Sequence, residues 1–381
     1  MKKFLSLVLA LVMTMSLVTV SAGAKDFTDS SKITYDEAVA VMSAAKVIDG
    51  YADGAFNPSN TLTRGAAAKI ICNLILGPTT ASALVADAAP YKDVPTNHTF
   101  AGYIAYCQKT GIISGYADGT FKPANSLTGY AFMKMLLGAL GYDAANEGYT
   151  GANWSINVAK QAISIGLNDG LNGEFNGVKA VNREEACLYA FNTLNATMVE
   201  YTNQTIVIAN GTVKTDKVAK DMENNARTET IKDDNKMQFA EKYFTDLKMF
   251  SATDDFSRPA TQWKIKAEEV GKYTDTPNLT YTKAVTECDV AHDAGLKVDT
   301  AYTLYVNGQK QPTTYTVNLT DTVTKMGAQG RLVEVYDDTI VMIDTFLAKV
   351  TYVAPAAYDA QGHLRTEATI KLDVYATKGS T

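Results

Sequence analysis

Two arginines stand at predicted helix starts where they could bind an acidic ligand. Arg64 follows Thr63 and Arg183 follows Asn182, and threonine and asparagine are residue types that cap helix N-termini. The first turn of a helix presents unpaired backbone amides and partial positive charge. An arginine there adds a planar guanidinium that can pair with a carboxylate through two parallel hydrogen bonds. The pattern favours carboxylate recognition, and the alternative is an arginine that is solvated or paired with a surface acid.

The sequence around the first arginine is duplicated. Residues 50–64 and 115–129 share ten identical residues in fifteen positions, which marks a repeated supersecondary unit. Each copy contains glycines and an aspartate, Asp53 or Asp118, which predict a tight turn closed by hydrogen bonds to the carboxylate. The aspartates fit this role better than ligand contact, but both are kept among the candidate binding residues. A calcium loop is rejected because Tyr51 stands where a ligand is needed.

Each duplicated turn is expected to lie between two helices. Apolar residues recur at helical spacing after Thr63 and after Thr128, and another helix is predicted before each turn. A degenerate third copy follows, in which Asn182 begins a helix through a capping box with Glu185. Units of about 55 residues bury little surface alone, so the three units are expected to pack on a shared core.

These motifs resemble those of the S-layer homology (SLH) family. The resemblance is carried by "GYADGAFNPSNTLTRG", "YIAYCQKTGIISGYADGTFKPANSLTG" and the "VNRE" helix start. SLH modules come in threes, form an all-α, three-pronged, pseudo-threefold bundle and bind secondary cell-wall polysaccharides, often pyruvylated, without covalent linkage. The resemblance therefore implies SLH repeats at 25–80, 88–144 and 147–200. It also implies non-covalent anchoring of a secreted protein to the bacterial cell wall or S-layer.

The family motif Thr-Arg-Ala-Glu implies which residues of this chain contact the polysaccharide. Its arginine is carried over in the first and third repeats, where the matching residues are Thr63 and Arg64, and Asn182, Arg183 and Glu184. Two of these, Thr63 and Asn182, are also the predicted helix caps. The assignment therefore combines the resemblance with the physical argument for an arginine in the first turn of a helix.

The three repeats are expected to bind unequally. The second repeat has Gly129 in place of the arginine, and Lys122 could replace it only in part, because an ammonium cannot form the same bidentate pair. In the family a tryptophan opens the first helix of each module as a flat face for a sugar ring, and Trp154 matches it in the third repeat. A core position for Trp154 is the alternative. We expect Arg64, Arg183 and Trp154 to do most of the binding.

Beyond residue 200 the pattern changes to short strands. Asn-Gly pairs at 210 and 307 predict hairpin turns, and "RLVEVYDDTIVMIDTFLAKVTYV" and "TIKLDVYATK" alternate as strands do. The charged segment 214–242 is interpreted as a solvated helix or linker. The expected fold is therefore multidomain, with the helical SLH bundle followed by a mostly β C-terminal region at 201–381.

The first residues and the charge indicate secretion. Residues 1–24 combine lysines, an apolar stretch and a small-x-small cleavage site, which is typical of a signal peptide, and an uncleaved membrane anchor is the alternative. Loss of Lys2 and Lys3 would change the formal charge from −6 to −8. Such a chain is a poor general binder of nucleic acid. We expect a cell-surface protein that contacts the membrane only before cleavage of its signal peptide.

No residue pattern indicates catalysis, a metal site or a cofactor. The three histidines form no ligand cluster, and neither Gly-x-Ser-x-Gly nor a phosphate-binding glycine loop occurs. The four cysteines lack metal-ligand spacing, and Cys72 and Cys187 are interpreted as buried thiols rather than as a disulfide framework. The leading function is a non-catalytic anchor. The alternatives are a self-assembling S-layer lattice subunit, with other surface proteins as partners, and a wall-attached glycan hydrolase with its active site in the C-terminal region.

Overall fold

The chain divides into two compact units. A computed structural model describes residues 27–207, 213–225, 230–295, 301–312, 315–316, 325–326, 330–358, 364–366 and 368–375. The expected signal peptide and the predicted turn at 210 lie outside these residues. Over the described chain, the first unit takes 27–250 with Gln262–Gly271, and the second takes Ser251–Thr261 with 272–375.

The first unit is built mainly from helices, as the repeat pattern predicts. After a 3-10 turn at Ser30–Lys32, its helices are α1 (Asp36–Ala44), α2 (Arg64–Ser82), α3 (Ala101–Lys109), α4 (Gly129–Ala139), α5 (Trp154–Ser164), α6 (Arg183–Asn195) and α7 (Phe239–Tyr243). The second helix of each repeat packs on the first helix of the next: α2 on α3, α4 on α5, and α6 on α1. Within the described residues, no helix is long and apolar enough to cross a membrane.

Side-chain caps fix the starts of α2, α4 and α6. The hydroxyls of Thr63 and Thr128 accept hydrogen bonds from the amides three residues later, at 3.3 and 3.4 Å. The side chain of Asn182 accepts from the amide of Glu185 at 2.8 Å, and the Glu185 carboxylate accepts from the Asn182 amide. Because each cap satisfies an amide that the helix leaves unpaired, the sequence alone located these three helix starts.

A ring of backbone hydrogen bonds joins the three repeats. The amide of Leu62 donates to Val181, the amide of Val181 to Leu127, and the amide of Leu127 to Leu62, each at 2.9 Å. Every member directly precedes a helix cap and is at most 2% exposed. The ring therefore holds the starts of α2, α4 and α6 next to one another at a buried centre.

Each duplicated turn is closed by an aspartate from the segment before it. The Asp29 carboxylate accepts from the amides of Phe56 and Asn57 at 2.7 and 2.8 Å, and Asp93 makes the equivalent pair in the second repeat at 2.7 Å. The amide of Phe56 lowers the pKa of Asp29, and the same kind of bonds lower the pKa of Asp93 although burial opposes them. Gly50 lies so close to Phe27 that a Cβ there would stand 2.6 Å from its ring.

Where the structure describes the charged segment 214–242, at residues 214–225 and 230–242, it is not a solvated helix or linker. Strand β1 (Val199–Val207) pairs antiparallel with β2 (Val213–Asp221), and α7 follows. The buried Glu241 carboxylate accepts from the Asn224 side chain at 2.9 Å and from the amides of Thr230 and Ile231. The many charged residues of this segment suggested that it is solvated, but the Glu241 carboxylate is buried and hydrogen-bonded within the protein.

Trp263 attaches residues 262–271 to the helices of the first unit. Its ring is 1% exposed and its centroid lies 5.3 Å from that of Phe191 on α6. Its indole nitrogen donates to Glu37 of α1 at 2.6 Å. The compact unit that contains the repeats therefore includes chain well beyond residue 200.

Strands dominate the remaining chain, as expected. They are β3 (Leu247–Thr253), β4 (Pro259–Ile265), β5 (Glu268–Thr274), β6 (Leu279–Tyr281), β7 (Val285–Thr286), β8 (Ala301–Val306), β9 (Gln309–Lys310), β10 (Tyr315–Thr316), β11 (Lys325–Met326), β12 (Arg331–Val335), β13 (Thr339–Asp344), β14 (Leu347–Ala354), β15 (Ala357–Tyr358), β16 (Leu364–Thr366) and β17 (Thr369–Tyr375), with α8 (Glu287–Asp293) after β7. The sheets are small, and the largest runs β10-β8-β13-β12-β6, with β9 paired to β8.

The second unit has its own apolar core. Tyr302, Val333 and Ile340 pack with Val290 of α8. The predicted hairpin at 307 joins β8 to β9, and Asn307 and Gly308 both have positive φ, at 49° and 79°. Asparagine and glycine tolerate this backbone conformation, which explains why the dipeptide located the turn.

Candidate functional site

Arg64 extends from the start of α2 into the turn of the second repeat. Its Nε donates to the Phe121 carbonyl at 2.7 Å, and an Nη donates to the Ser114 carbonyl at 3.3 Å. Its Cζ lies 5.0 Å from the centre of the Tyr116 ring and 4.3 Å from that of Phe121. Burial lowers the pKa of Arg64. Two carbonyls and two aromatic faces thus hold the guanidinium in one orientation.

Arg183 repeats this arrangement between the third repeat and the first. Its Nε donates to the Phe56 carbonyl at 2.9 Å, and an Nη donates to the Asp49 carbonyl at 2.8 Å. Its Cζ lies 4.7 Å from the Tyr51 ring centre and 4.9 Å from that of Phe56. Burial lowers the pKa of Arg183 as well. Each arginine therefore faces the turn of the next repeat. We call the contact between a helix start and the turn of the next repeat a junction, and we name each junction by the first residue of the helix: Arg64, Gly129 or Arg183.

The Gly129 junction lacks both the arginine and the tyrosine that the other two junctions have. Gly129 begins α4 and faces the turn of the third repeat, where a Cβ on it would lie 3.2 Å from the Phe175 ring. Aligning the turns on their phenylalanines places Gly170 where the other repeats have Tyr51 and Tyr116. The cavity here measures about 120 Å³. A long side chain at position 129 would therefore enter a crowded contact.

A cavity of about 430 Å³ opens beside Arg64. Tyr116, Lys134, Tyr149 and Trp154 are among its lining residues. The Lys134 ammonium lies 5.7 Å from the Trp154 ring centre, and burial lowers the pKa of Lys134. This cavity, which we call the Arg64 groove, thus combines two cations, Arg64 and Lys134, with aromatic faces. Such a combination suits an anionic ligand that also has apolar surface.

Trp154 shares a groove with Arg64 of the first repeat, not with Arg183 of its own repeat. Its ring is partly exposed and meets Tyr130 edge-on, with centroids 6.4 Å apart. Phe100, at the start of α3, has a comparable place over the first turn of α2, where a Cβ on Gly65 would lie 2.4 Å from its ring. An aromatic residue therefore lies next to the first turn of α2, where it is Phe100, and of α4, where it is Trp154.

Lys69 is the counterpart of Lys134 in the first repeat. It lies five residues after Arg64, as Lys134 lies five residues after Gly129, and its side chain is exposed. Leu188 holds this position in the third repeat. Lys134, of the second repeat, lies at the Arg64 junction, which belongs to the first repeat's arginine. The same step around the cycle assigns Lys69 to the Arg183 junction and Leu188 to the Gly129 junction.

The remaining candidate residues make contacts within the protein. The side chains of Thr63 and Asn182 are occupied as helix caps. Glu184 is buried, and its carboxylate accepts from the Thr34 amide at 2.8 Å. This bond joins the start of α6 to the segment before α1. These three residues therefore hold in place the helix starts from which the two arginines extend.

Asp53 and Asp118 hold the turns. Asp53 accepts from the Ala55 amide at 3.0 Å, and Asp118 accepts from the Thr120 amide at 2.9 Å. Lys122 lies 4.4 Å from the centre of the Tyr116 ring and 3.8 Å from the Asp118 carboxylate. It therefore belongs to the turn that Arg64 faces, and its expected partial replacement of the arginine missing at position 129 is wrong.

Sequence reasoning missed Tyr51, Tyr116 and Lys134. The tyrosines carried a signal in the sequence, because they are identical in the two copies. In the structure they are 46% and 44% exposed. Lys134 carried none, since a lysine on an amphipathic helix is usually solvated. Its place in the groove depends on α5, which the sequence does not position.

In the second unit, two carboxylates with little exposure, Asp254 and Glu334, lie next to Arg258. Arg258 donates to Asp254 at 2.6 Å and lies 3.7 Å from Glu334, and all three residues are buried or nearly so. Burial raises the pKa of Glu334, which also accepts a hydrogen bond from Tyr336 at 3.2 Å. This cluster is accounted for by packing and ion pairing, and it contributes no argument for hydrolysis.

Comparison with known proteins identifies the first two repeats. The family model described as "S-layer homology domain" matches residues 26–68 and 90–129. A "Cell surface protein" of Thermoanaerobacter kivui is 27% identical over 203 residues, which is 53% of this chain and 26% of that protein. A "Surface layer protein" of Brevibacillus choshinensis is 26% identical over 174 residues, 45% of this chain and 15% of that protein.

A third relative is named for anchoring. The "Cellulosome-anchoring protein" of Acetivibrio thermocellus is 38% identical over 84 residues, 22% of this chain and 19% of that protein. The chain thus spans about a quarter or less of the length of these relatives. The matched residues include the Arg64 helix start and both duplicated turns. The chain is a secreted cell-surface protein with S-layer homology domains.

Proposed function

We propose that this protein anchors non-covalently to the cell surface by binding an acidic secondary cell-wall polysaccharide at the Arg64 and Arg183 junctions. The observation that carries the proposal is the same guanidinium geometry at both junctions, each with a tyrosine, a phenylalanine and a nearby lysine position. A purely structural arginine would not require the open, two-cation groove found beside Arg64. A relative named for the cell surface and another named for anchoring support this proposal.

The free donors of each arginine are available to a ligand carboxylate. A guanidinium has five N–H groups, and the two backbone carbonyls at each junction engage the Nε and one Nη of Arg64 or Arg183. The nearby tyrosine ring, 5.0 Å from Cζ at Arg64 and 4.7 Å at Arg183, restricts the orientation of the remaining donors. A sugar carboxylate, including a ketal-linked pyruvate, would receive a bidentate pair at little conformational cost.

Aromatic faces and the second cation complete each groove. Trp154 at the Arg64 junction and Phe100 at the Arg183 junction offer flat surfaces for the apolar face of a sugar ring. Lys134 adds charge beside Trp154, and Lys69 is its proposed counterpart. A cavity of about 430 Å³ has the size of an ordinary small-ligand site. We expect the Gly129 junction to contribute mainly to the fold.

The pseudo-threefold arrangement and the boundaries of the repeats belong to the same proposal. Three SLH repeats at 25–80, 88–144 and 147–200 would be related by an axis through the ring of Leu62, Leu127 and Val181. The cyclic hydrogen bonds and the cyclic packing of second helices on first helices support this relation. The β-rich remainder at 201–381 would be displayed by the anchor, without catalysis.

Sedimentation of the full secreted chain with purified cell walls tests the proposal. Walls that retain their secondary polysaccharide should carry the protein into the pellet, and walls stripped of it should not. Purified polysaccharide, added in solution, should release the bound protein. Equal binding to stripped walls, or no binding to intact ones, would overturn the anchoring function.

A structural S-layer lattice subunit is a second candidate, which an exposed apolar ribbon favours. Strands β14 and β17 pair antiparallel, and large apolar residues on and beside them are at least 50% exposed: Phe346, Leu347, Val350, Tyr352, Val353, Ile370, Leu372, Val374 and Tyr375. Apolar surface of this kind often marks association. Light scattering of the full chain at rising concentration should show assembly that Leu372→Lys suppresses, and a persistent monomer would exclude this candidate.

A further inference from the structure

Two of the four cysteines meet in the buried contact between the first two repeats. Cys72 lies on α2 and Cys107 on α3, thirty-five residues apart in the chain, and both are 0% exposed. Their Sγ atoms are 3.6 Å apart. Cys187, by contrast, points its Sγ at the Ala38 carbonyl at 3.4 Å. The scattered sequence positions gave no sign that one pair is in contact.

The surroundings of this pair suit a covalent bond. A disulfide has a sulfur–sulfur distance of about 2.05 Å, so the two Sγ atoms need to approach by roughly 1.5 Å. Few polar contacts oppose such a movement: among the described residues, the other polar contacts of these atoms are weak ones to the carbonyls of Tyr103 and Ala68, at 3.5 and 3.7 Å. Within the described residues, no group of three metal-binding side chains includes either cysteine.

We propose that Cys72 and Cys107 form a disulfide in the secreted protein, which ties the first repeat to the second. Extracellular proteins keep such bonds because their environment is oxidising. The electron acceptor is a low-molecular-weight or protein disulfide. One cysteine thiolate attacks it, forms a mixed disulfide and releases one acceptor thiol. The second cysteine then displaces the other acceptor thiol, so two protons and two electrons leave the pair.

Burial determines when this exchange happens. In the folded protein neither Sγ is accessible, and the contact with Cys107, together with burial, raises the pKa of the Cys72 thiol and disfavours the reactive thiolate. The bond therefore forms before α2 and α3 close on each other. Once formed, it is shielded from reductants by the same packing, and it restricts the unfolded chain across the two repeats.

Mass spectrometry of the full secreted chain tests the proposal directly. The protein is denatured with excess iodoacetamide and no reductant, and is then digested. We expect the Cys72 and Cys107 peptides to appear linked, and the Cys187 and Cys288 peptides to appear alkylated. Alkylation of both Cys72 and Cys107, or linkage of either to another cysteine, overturns the proposal.

Refolding supplies a second measurement. The chain is reduced in denaturant and refolded with oxidised or with reduced glutathione. The melting temperature should be roughly 5–10 °C lower after reducing refolding. The Cys72→Ala/Cys107→Ala variant should lose this difference, and Cys288→Ala, the matched control, should keep it. A wild-type protein that melts at the same temperature in both conditions contradicts the bond.

Discussion

The Arg64 guanidinium carbon lies 5.0 Å from the centre of the Tyr116 ring. Arg183 has the same relation to Tyr51, at 4.7 Å, and in each case the two residues come from different repeats. At the third junction, Gly129 faces a turn that has lost the tyrosine. Because arginine and tyrosine are lost together, we infer that they act as a pair in which the ring holds the guanidinium in its groove.

Replacing the ring of Tyr116 should weaken polysaccharide binding. Tyr116→Leu removes a cation–π contact worth about 0.5–1 kcal/mol at an exposed site, so the affinity should fall by roughly two- to fivefold. Calorimetric titration of the full chain with purified wall polysaccharide measures this. Tyr116→Phe keeps the ring and should bind as the wild type does. Unchanged affinity in the leucine variant would show that the pair does not orient the arginine.

Lys134 should give the binding reaction a pH dependence. Burial lowers the pKa of Lys134, whose ammonium is fully present only below that pKa. A bound carboxylate stabilises the ammonium, so affinity should decline as the pH rises through the lowered pKa. Lys134→Met should weaken binding about tenfold, or ~1.4 kcal/mol, and remove this decline. Lys160→Met, an exposed lysine on α5, is the control and should change neither property.

Asp93 should stabilise the second repeat by closing its turn. Its carboxylate accepts two amide hydrogen bonds at 2.7 Å, and Asp93→Asn should lower the free energy of unfolding by about 2 kcal/mol at neutral pH. The pKa of Asp93 is lowered in the folded state, so this contribution is present above the unfolded pKa. It should disappear as the pH falls through the folded pKa.

Denaturant titrations of the wild type and of Asp93→Asn at several pH values measure the difference between their free energies of unfolding. The difference between wild type and Asp93→Asn should narrow in acid. Asp87→Asn changes an exposed aspartate near the same repeat and should leave the unfolding curve unchanged. A constant difference at every pH would contradict the role given to the Asp93 carboxylate.

Trp263 should support the helical unit although it lies far outside the repeats. Trp263→Ala removes a fully buried ring and its hydrogen bond to Glu37, and should cost about 3–5 kcal/mol. Thermal unfolding followed by circular dichroism at helical wavelengths measures the loss. Trp263→Phe keeps most of the packing and should be less destabilised. Helical unfolding that is indifferent to both changes would show that residues 262–271 do not pack on the repeats.

Local signals in the sequence located the helix starts, the duplicated turns and the Asn-Gly hairpin. Each is determined by residues a few positions apart, such as Asn182 with Glu185, so the sequence contains the complete interaction. The arginines at the helix starts were predicted in the same way. The presence of a mostly β region after residue 200 followed from alternation and turn residues.

Contacts between repeats could not be predicted in this way. Helical spacing shows that Trp154 begins a helix, but not that the helix lies beside Arg64, because this depends on how the repeats close into a cycle. Asp29 reaches a turn twenty-seven residues later, with no pattern to connect them. The prediction of a solvated helix or linker at 214–242 failed for a related reason. The Glu241 carboxylate is paired with backbone amides, and the sequence does not show which amides will lie near it.

Calorimetric titration of the Arg64→Ala/Arg183→Ala double variant with purified wall polysaccharide tests the central claim most directly. Lys109→Ala/Lys160→Ala removes two exposed cations outside the grooves and is the matched control. We predict that the arginine variant loses at least a hundredfold in affinity, about 2.7 kcal/mol, while its helical content and the binding of the lysine control remain unchanged. A folded arginine variant that binds as tightly as the wild type would contradict the account.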